Sequence, residues 1–105
     1  MLILPHSVEL SLPFGETGEY VYETIKAQVT PMTFNSAMSV TGAETRNPCM
    51  VITRPSNADR VKTGGRMRFR GKVFSVITDG MLYEGIGVAD HVSFVVDQAE
   101  EGLDN

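Results

Sequence analysis

Apolar and polar residues alternate from the start of the chain. In Ser7-Val8-Glu9-Leu10-Ser11-Leu12, Val8, Leu10 and Leu12 share one parity; Ser7, Glu9 and Ser11 share the other. Successive side chains of a strand point to opposite faces, so a period of two predicts a half-buried strand with Val8, Leu10 and Leu12 inward. Pro13-Phe14-Gly15-Glu16-Thr17-Gly18 follows and reads as a turn. Glu19 to Thr33 is rich in β-branched and aromatic residues and predicts a long second strand. Its apolar parity switches, from Tyr20 and Tyr22 to Ile25, Ala27 and Val29. Either a bulge re-aims the strand near Glu23-Thr24, or both of its faces are partly covered.

The periodicity fails from Phe34 to Pro48, where residues are small and polar. Residues 35–48 read as one long internal loop, and loops of this length are usually functional or disordered. Cys49-Met50-Val51-Ile52-Thr53-Arg54 predicts a short strand, broken by Pro55-Ser56-Asn57-Ala58-Asp59; Thr63-Gly64-Gly65 is a second turn. Then comes a hairpin: Met67 and Phe69 face inward, and Arg66, Arg68 and Arg70 outward. Gly71-Lys72 is read as a type II′ turn, with Gly71 in the positive-φ position. The next strand, Val73 to Thr78, is apolar on both parities, as a central strand would be. Asp79-Gly80 marks another turn, Met81 to Asp90 gives no clear element, and His91 to Asp97 is a last strand. Residues 98–105 form an acidic tail. The reading is therefore one all-β domain over residues 1–105: a small β-barrel or sandwich of about six short strands with one long internal loop.

The totals narrow the function classes. With 42% hydrophobic and 21% charged residues, the chain is neither a disordered segment nor a helical membrane protein. Met1-Leu2-Ile3-Leu4-Pro5 lacks a basic n-region and does not fit a signal peptide. The single cysteine, Cys49, rules out an intramolecular disulfide and fits a reducing compartment. His6 and His91 have no metal-ligand spacing, and no carboxylates or histidines converge in a catalytic pattern. Gly85-Ile86-Gly87 lacks the strand–loop–helix setting of a dinucleotide motif, and Gly64-Gly65 precedes a strand rather than a phosphate-binding helix. No enzyme activity, metal or cofactor is expected.

Charge is unevenly placed. Net charge is −4, yet six of the nine Lys/Arg residues are Arg60, Lys62, Arg66, Arg68, Arg70 and Lys72. From Asp79 onward there are seven acids and no Lys or Arg. A basic end and an acidic end allow copies to attract one another, with Asp79, Glu84, Asp90 and Asp97 as acidic interface candidates. The same charges also fit two solvated faces, or a strand edge blunted against aggregation. The stripe Arg66, Arg68, Arg70 admits a third reading, a nucleic-acid surface with Phe74 or Tyr83 as stacking residues.

Two stretches resemble a known family. Leu4-Pro5-His6-Ser7-Val8-Glu9-Leu10 resembles the opening strand of the head-closure, or stopper, proteins of tailed bacteriophages. Val61 to Ile77, with its glycine-led strand, Gly71-Lys72 and Val73-Phe74-Ser75-Val76-Ile77, is similar to the hairpin of phage head–tail joining proteins. The order of elements along most of the chain is similar too. The resemblance implies a β-barrel virion protein that forms a homo-oligomeric ring below the portal and adaptor. Such a ring closes the channel on packaged DNA and docks the tail; it is assembled in the host cytoplasm and touches no membrane. It also implies an internal loop projecting to the channel, for which Asn35, Ser36, Met38, Thr41, Gly42 and Arg46 are the candidates. The rivals are a free-standing barrel that binds single-stranded nucleic acid or a peptide, and another minor capsid or tail-terminator part. The composition of residues 35–48 cannot bury enough apolar area to offset its ordering entropy. Trypsin is therefore expected to cut the dilute protein after Arg46 before it cuts within any strand; resistance at Arg46 in limited proteolysis would count against a mobile gate.

Overall fold

The computed structural model describes residues 3–13, 20–33, 47–85 and 90–98. They form β1 (His6–Ser11), β2 (Glu23–Pro31), β3 (Pro48–Thr53), β4 (Arg66–Phe69), β5 (Lys72–Val76), β6 (Met81–Tyr83) and β7 (His91–Gln98), with a 3-10 turn at Pro55–Arg60. Every pairing is antiparallel: β1 with β2 and β4, β2 with β3, β4 with β5, and β7 with β3, β5 and β6. The β3–β7 ladder, from Pro48↔Asp97 to Thr53↔Val92, closes β1, β2, β3, β7, β5 and β4 into a six-stranded barrel. Since β3 takes one edge of β7, β5 and β6 share the other, β5 at Val96–Gln98 and β6 at His91–Ser93. The chain is thus an all-β protein, and of the two expected architectures it is the barrel.

Alternation explains the core. Val8 and Leu10 of β1, Ile25 and Ala27 of β2, Val51 of β3, Met67 of β4, Phe74 and Val76 of β5, and Val92, Phe94 and Val96 of β7 meet in one apolar cluster. Burial of these side chains drives the closure, each large one contributing about 1.5–3 kcal/mol. Val61, after the 3-10 turn, plugs the same cluster. The buried Thr53 is satisfied on both sides: its hydroxyl donates to the Lys26 carbonyl at 2.7 Å and accepts from Asn57 Nδ2 at 2.8 Å. His6 works at the mouth of the β1–β2 ladder, where its Nδ1 accepts the Val29 N–H at 3.1 Å.

Several expectations need correction. Leu12 is not inward; it is 47% exposed while Ser11 is buried, because β1 ends at Ser11 and Gly65 packs on the Ser11 carbonyl. A Cβ on Gly65 would stand 2.4 Å from that oxygen, so only glycine fits there. The hairpin turn is Arg70-Gly71, not Gly71-Lys72. Phe69 pairs with Lys72, and both turn residues have positive φ, +52° at Arg70 and +76° at Gly71, as in a type I′ turn. Arg70 therefore sits at the tip rather than on the outward face of β4. Pro48 belongs to β3 and not to the loop: its carbonyl accepts the Met32 N–H at 2.9 Å and extends the β2–β3 ladder. The segment without a clear element contains β6. Gln98 closes β7, whereas 99–105 and residues 35–46 of the expected loop lie outside the described residues.

Two substitutions separate core from turn. Met67 is fully buried in the cluster, so Met67→Ala should cost about 2–5 kcal/mol in a urea melt. Arg70→Asn puts a residue that tolerates positive φ before Gly71. It should leave stability within roughly 0.5 kcal/mol or raise it. A larger loss in Arg70→Asn than in Met67→Ala would mean the hairpin register is wrong.

Candidate functional site

The outer wall over β4 is built from arginines laid on tyrosines. Arg66 and Arg68 lie on one face of β4, two residues apart. Tyr20 and Tyr22 precede β2 at the same spacing. The Arg66 guanidinium stands 5.4 Å from the Tyr20 ring centre and that of Arg68 3.7 Å from the Tyr22 ring centre. Such contacts are favourable because the ring face is electron-rich. Arg66 also donates to Ser75 Oγ at 3.1 Å, and Arg68 Nη2 donates to Glu9 Oε2 at 2.7 Å, across the Glu9↔Arg68 pair of the β1–β4 ladder. This settles the parity switch in the second strand segment. Tyr20 and Tyr22 cover the outside while Ile25 and Ala27 fill the inside, so both faces are used.

Beyond that pair the wall opens. The β1–β4 ladder ends at Glu9, whereas β1 continues to His6 along β2. The β4–β5 chain has already turned at Arg70-Gly71, leaving Ser7 outside the ladder to β4. A groove of about 330 Å³ results, lined by Ser7, Glu9, Thr24, Arg68, Phe69 and Arg70 among others. Arg70 projects over the Phe69 ring at 4.9 Å, and Lys26 donates to Ser7 Oγ at 2.8 Å. The buried Arg68 Nε has no hydrogen-bond partner among the described residues.

The other sequence candidates do not converge. Arg60 is ion-paired to Glu23 in the same chain. Lys62, Lys72 and Glu84 are exposed. Asp79 Oδ1 accepts from the Thr63 N–H and hydroxyl at 2.8 and 2.9 Å; Asp90 Oδ1 accepts from the Gly85 N–H at 3.1 Å; Asp97 Oδ1 accepts from the Asn47 N–H at 2.7 Å. These three acids tie turns and strand ends together. Phe74 is buried and cannot stack a base, contrary to expectation. Tyr83 stacks on His91 with ring centres 5.0 Å apart. The channel candidates Asn35, Ser36, Met38, Thr41, Gly42 and Arg46 lie outside the described residues. Glu9, Tyr20, Tyr22 and Glu23 were missed as partners of the arginines; their alternation was visible, but not which strand lay opposite.

Chemistry is sparse. Burial, and next the Asp97 charge, push the Cys49 thiol up against the opposing pull of Lys72, which keeps it in the unreactive thiol form. Among the described residues, no group of three His, Cys, Asp or Glu could hold a metal ion, and no helix is long and apolar enough to cross a membrane.

No family model and no curated protein matches the sequence. Among solved structures, the chain is similar to protein SF1141 from Shigella flexneri 2a, a structural genomics target determined in solution. The TM-score is 0.66 at 15% identity, over 93% of this chain and 95% of that one. The two share a fold over nearly their whole lengths, and at that identity the likeness speaks of the fold alone.

Asp79 provides a measurable check on the turn geometry. The Thr63 N–H and then the Thr63 hydroxyl stabilise its carboxylate, with Lys62 adding to them, and hold it below the ordinary range. A lowered folded value means the contribution is present above the unfolded Asp value, about 3.9, and is lost as pH falls through the folded one. A carbon-detected NMR titration should place the Asp79 midpoint below that of an unstructured Asp. Thr63→Val should raise it part of the way, since the N–H remains. An unshifted midpoint in both proteins would contradict the clamp.

Proposed function

We propose that the chain is a structural part of the tailed-bacteriophage connector, acting in the virion at the head–tail interface. In this reading copies form a ring below the portal and adaptor, retain packaged DNA in the channel and present a surface to the tail. Its work is steric, without catalysis or cofactor. The observation that carries the reading is the order of elements around a closed barrel. An opening strand, a long second strand, an intervening segment, the Arg66–Val76 hairpin and a final strand follow one another as in the family resembled. A closed barrel suits a ring subunit because few strand edges are left for uncontrolled pairing.

One observation favours a second reading. The Tyr20–Arg66 and Tyr22–Arg68 stacks put aromatic and cationic groups side by side on the barrel wall, a composition used to bind single strands. Net charge of −4 weighs against it.

Removing the reading frame from the phage that carries it tests the first reading. Electron microscopy should then show heads without tails, and nuclease should digest DNA that normal heads protect. Tailed, infectious particles lacking the protein would overturn it. For the second reading, binding of a thymidine oligonucleotide should weaken steeply as salt rises.

A further inference from the structure

The groove at the hairpin tip combines two features. First, it is cationic. Arg68 and Arg70 line it and Lys26 reaches Ser7 on its wall, against the single carboxylate of Glu9. Arg68 is held flat between the Tyr22 ring and Glu9, so its guanidinium is pre-oriented. Its Nε is buried and has no hydrogen-bond partner among the described residues, so the groups it turns to the groove are the terminal guanidinium nitrogens. Second, the groove runs beside a strand that has lost its neighbour. Around Ser7, β1 is paired to β2 but not to β4. An extended backbone laid there continues the sheet, which is how exposed sheet edges capture peptides.

We infer that this groove receives an extended acidic peptide segment from a second copy of the chain, its backbone alongside Ser7 and its carboxylate between Arg68 and Arg70. Three observations select this occupant. Phe69, the ring that lines the groove, already carries Arg70 over one face and packs on the core, which leaves it poorly placed to stack a nucleic-acid base. Glu9 on the wall disfavours a continuous phosphate backbone but leaves room for one carboxylate beside two guanidiniums. The chain itself carries a matching acidic sequence, because residues 98–105 hold Glu100, Glu101 and Asp104 and no base. The acids at 79, 90 and 97 are already engaged by Thr63, Gly85 and Asn47, so the sequence beyond β7 is the better donor. The inference needs a second copy but not the connector reading, and stands or falls separately from it.

The test uses the full chain labelled with nitrogen-15 and an unlabelled synthetic peptide of residues 97–105. The peptide should shift the amides of Ser7 and Gly71 and the Arg68 Nε–H signal, and leave Val92 and Val96 in the core unmoved. Arg70→Asn, which preserves the turn, should weaken binding about tenfold, the loss expected of one charge-assisted hydrogen bond. Arg68→Lys should weaken it similarly, because lysine keeps the charge but lacks the planar fork of donors that meets a carboxylate. Three results would each overturn the inference: no groove shifts at millimolar peptide, equal binding of a peptide with its acids changed to amides, or tighter binding of a thymidine oligonucleotide at the same residues.

Discussion

Everything in this fold depends on the pairing of β3 with β7. Six register pairs, from Pro48↔Asp97 to Thr53↔Val92, turn an open sheet into a barrel. Because β7 then has β3 on one edge and β5 and β6 on the other, it is the most enclosed strand, with Phe94, Val95 and Val96 all buried. Val92, Phe94 and Val96 keep the inward alternation, and Val95 adds one buried residue of the opposite parity, so the strand is apolar without a break from Phe94 to Val96. The pairing joins segments far apart in the chain, so the loop entropy has to be met before the contacts form.

Closure also explains what sequence reading could and could not reach. Val8, Leu10 and Met67 were legible because alternation on a half-buried strand is a local signal, whereas Phe74 lies in a strand apolar on both parities, which gives no inward side. The hairpin was legible too, but its turn was displaced by one residue. Gly71 suggests a turn that starts on glycine, whereas the register places Arg70 first and holds an arginine at positive φ. β6 was invisible because three residues show no period, and it exists only by adding to β7. The Tyr20–Arg66 and Tyr22–Arg68 stacks were out of reach for a different reason. Each residue is ordinary in its own segment, and only the β2–β1–β4 order brings the two segments onto one wall. Local chemistry was readable, and cross-strand neighbours were not.

The same geometry revises the meaning of the charge asymmetry. Read as a list, the basic and acidic segments look like two poles waiting for partners. In the fold most are employed: Arg60 with Glu23, Arg68 with Glu9, Asp79 with Thr63, Asp97 with Asn47. The two ion pairs, Arg60–Glu23 and Arg68–Glu9, are solvent-exposed and stabilise by only about 0–1 kcal/mol each. Their effect is to fix the conformation of the wall rather than to hold the fold, which the apolar interior does.

That division bears on how a ring of such subunits, as proposed, could be specific. Charge attraction alone is weakly directional and screened within about 8–10 Å at ordinary ionic strength. It can bring two copies together but cannot fix their angle, and a ring closes only if every subunit repeats the same angle. A backbone laid against the unpaired stretch of β1 is directional, because hydrogen bonds in a sheet fix both register and tilt. The groove places these two kinds of contact within one lining, with Arg68 and Arg70 on one side and Ser7 on the other. Charge then selects the segment and the strand edge sets its geometry. The incomplete stretch of the wall would then direct assembly.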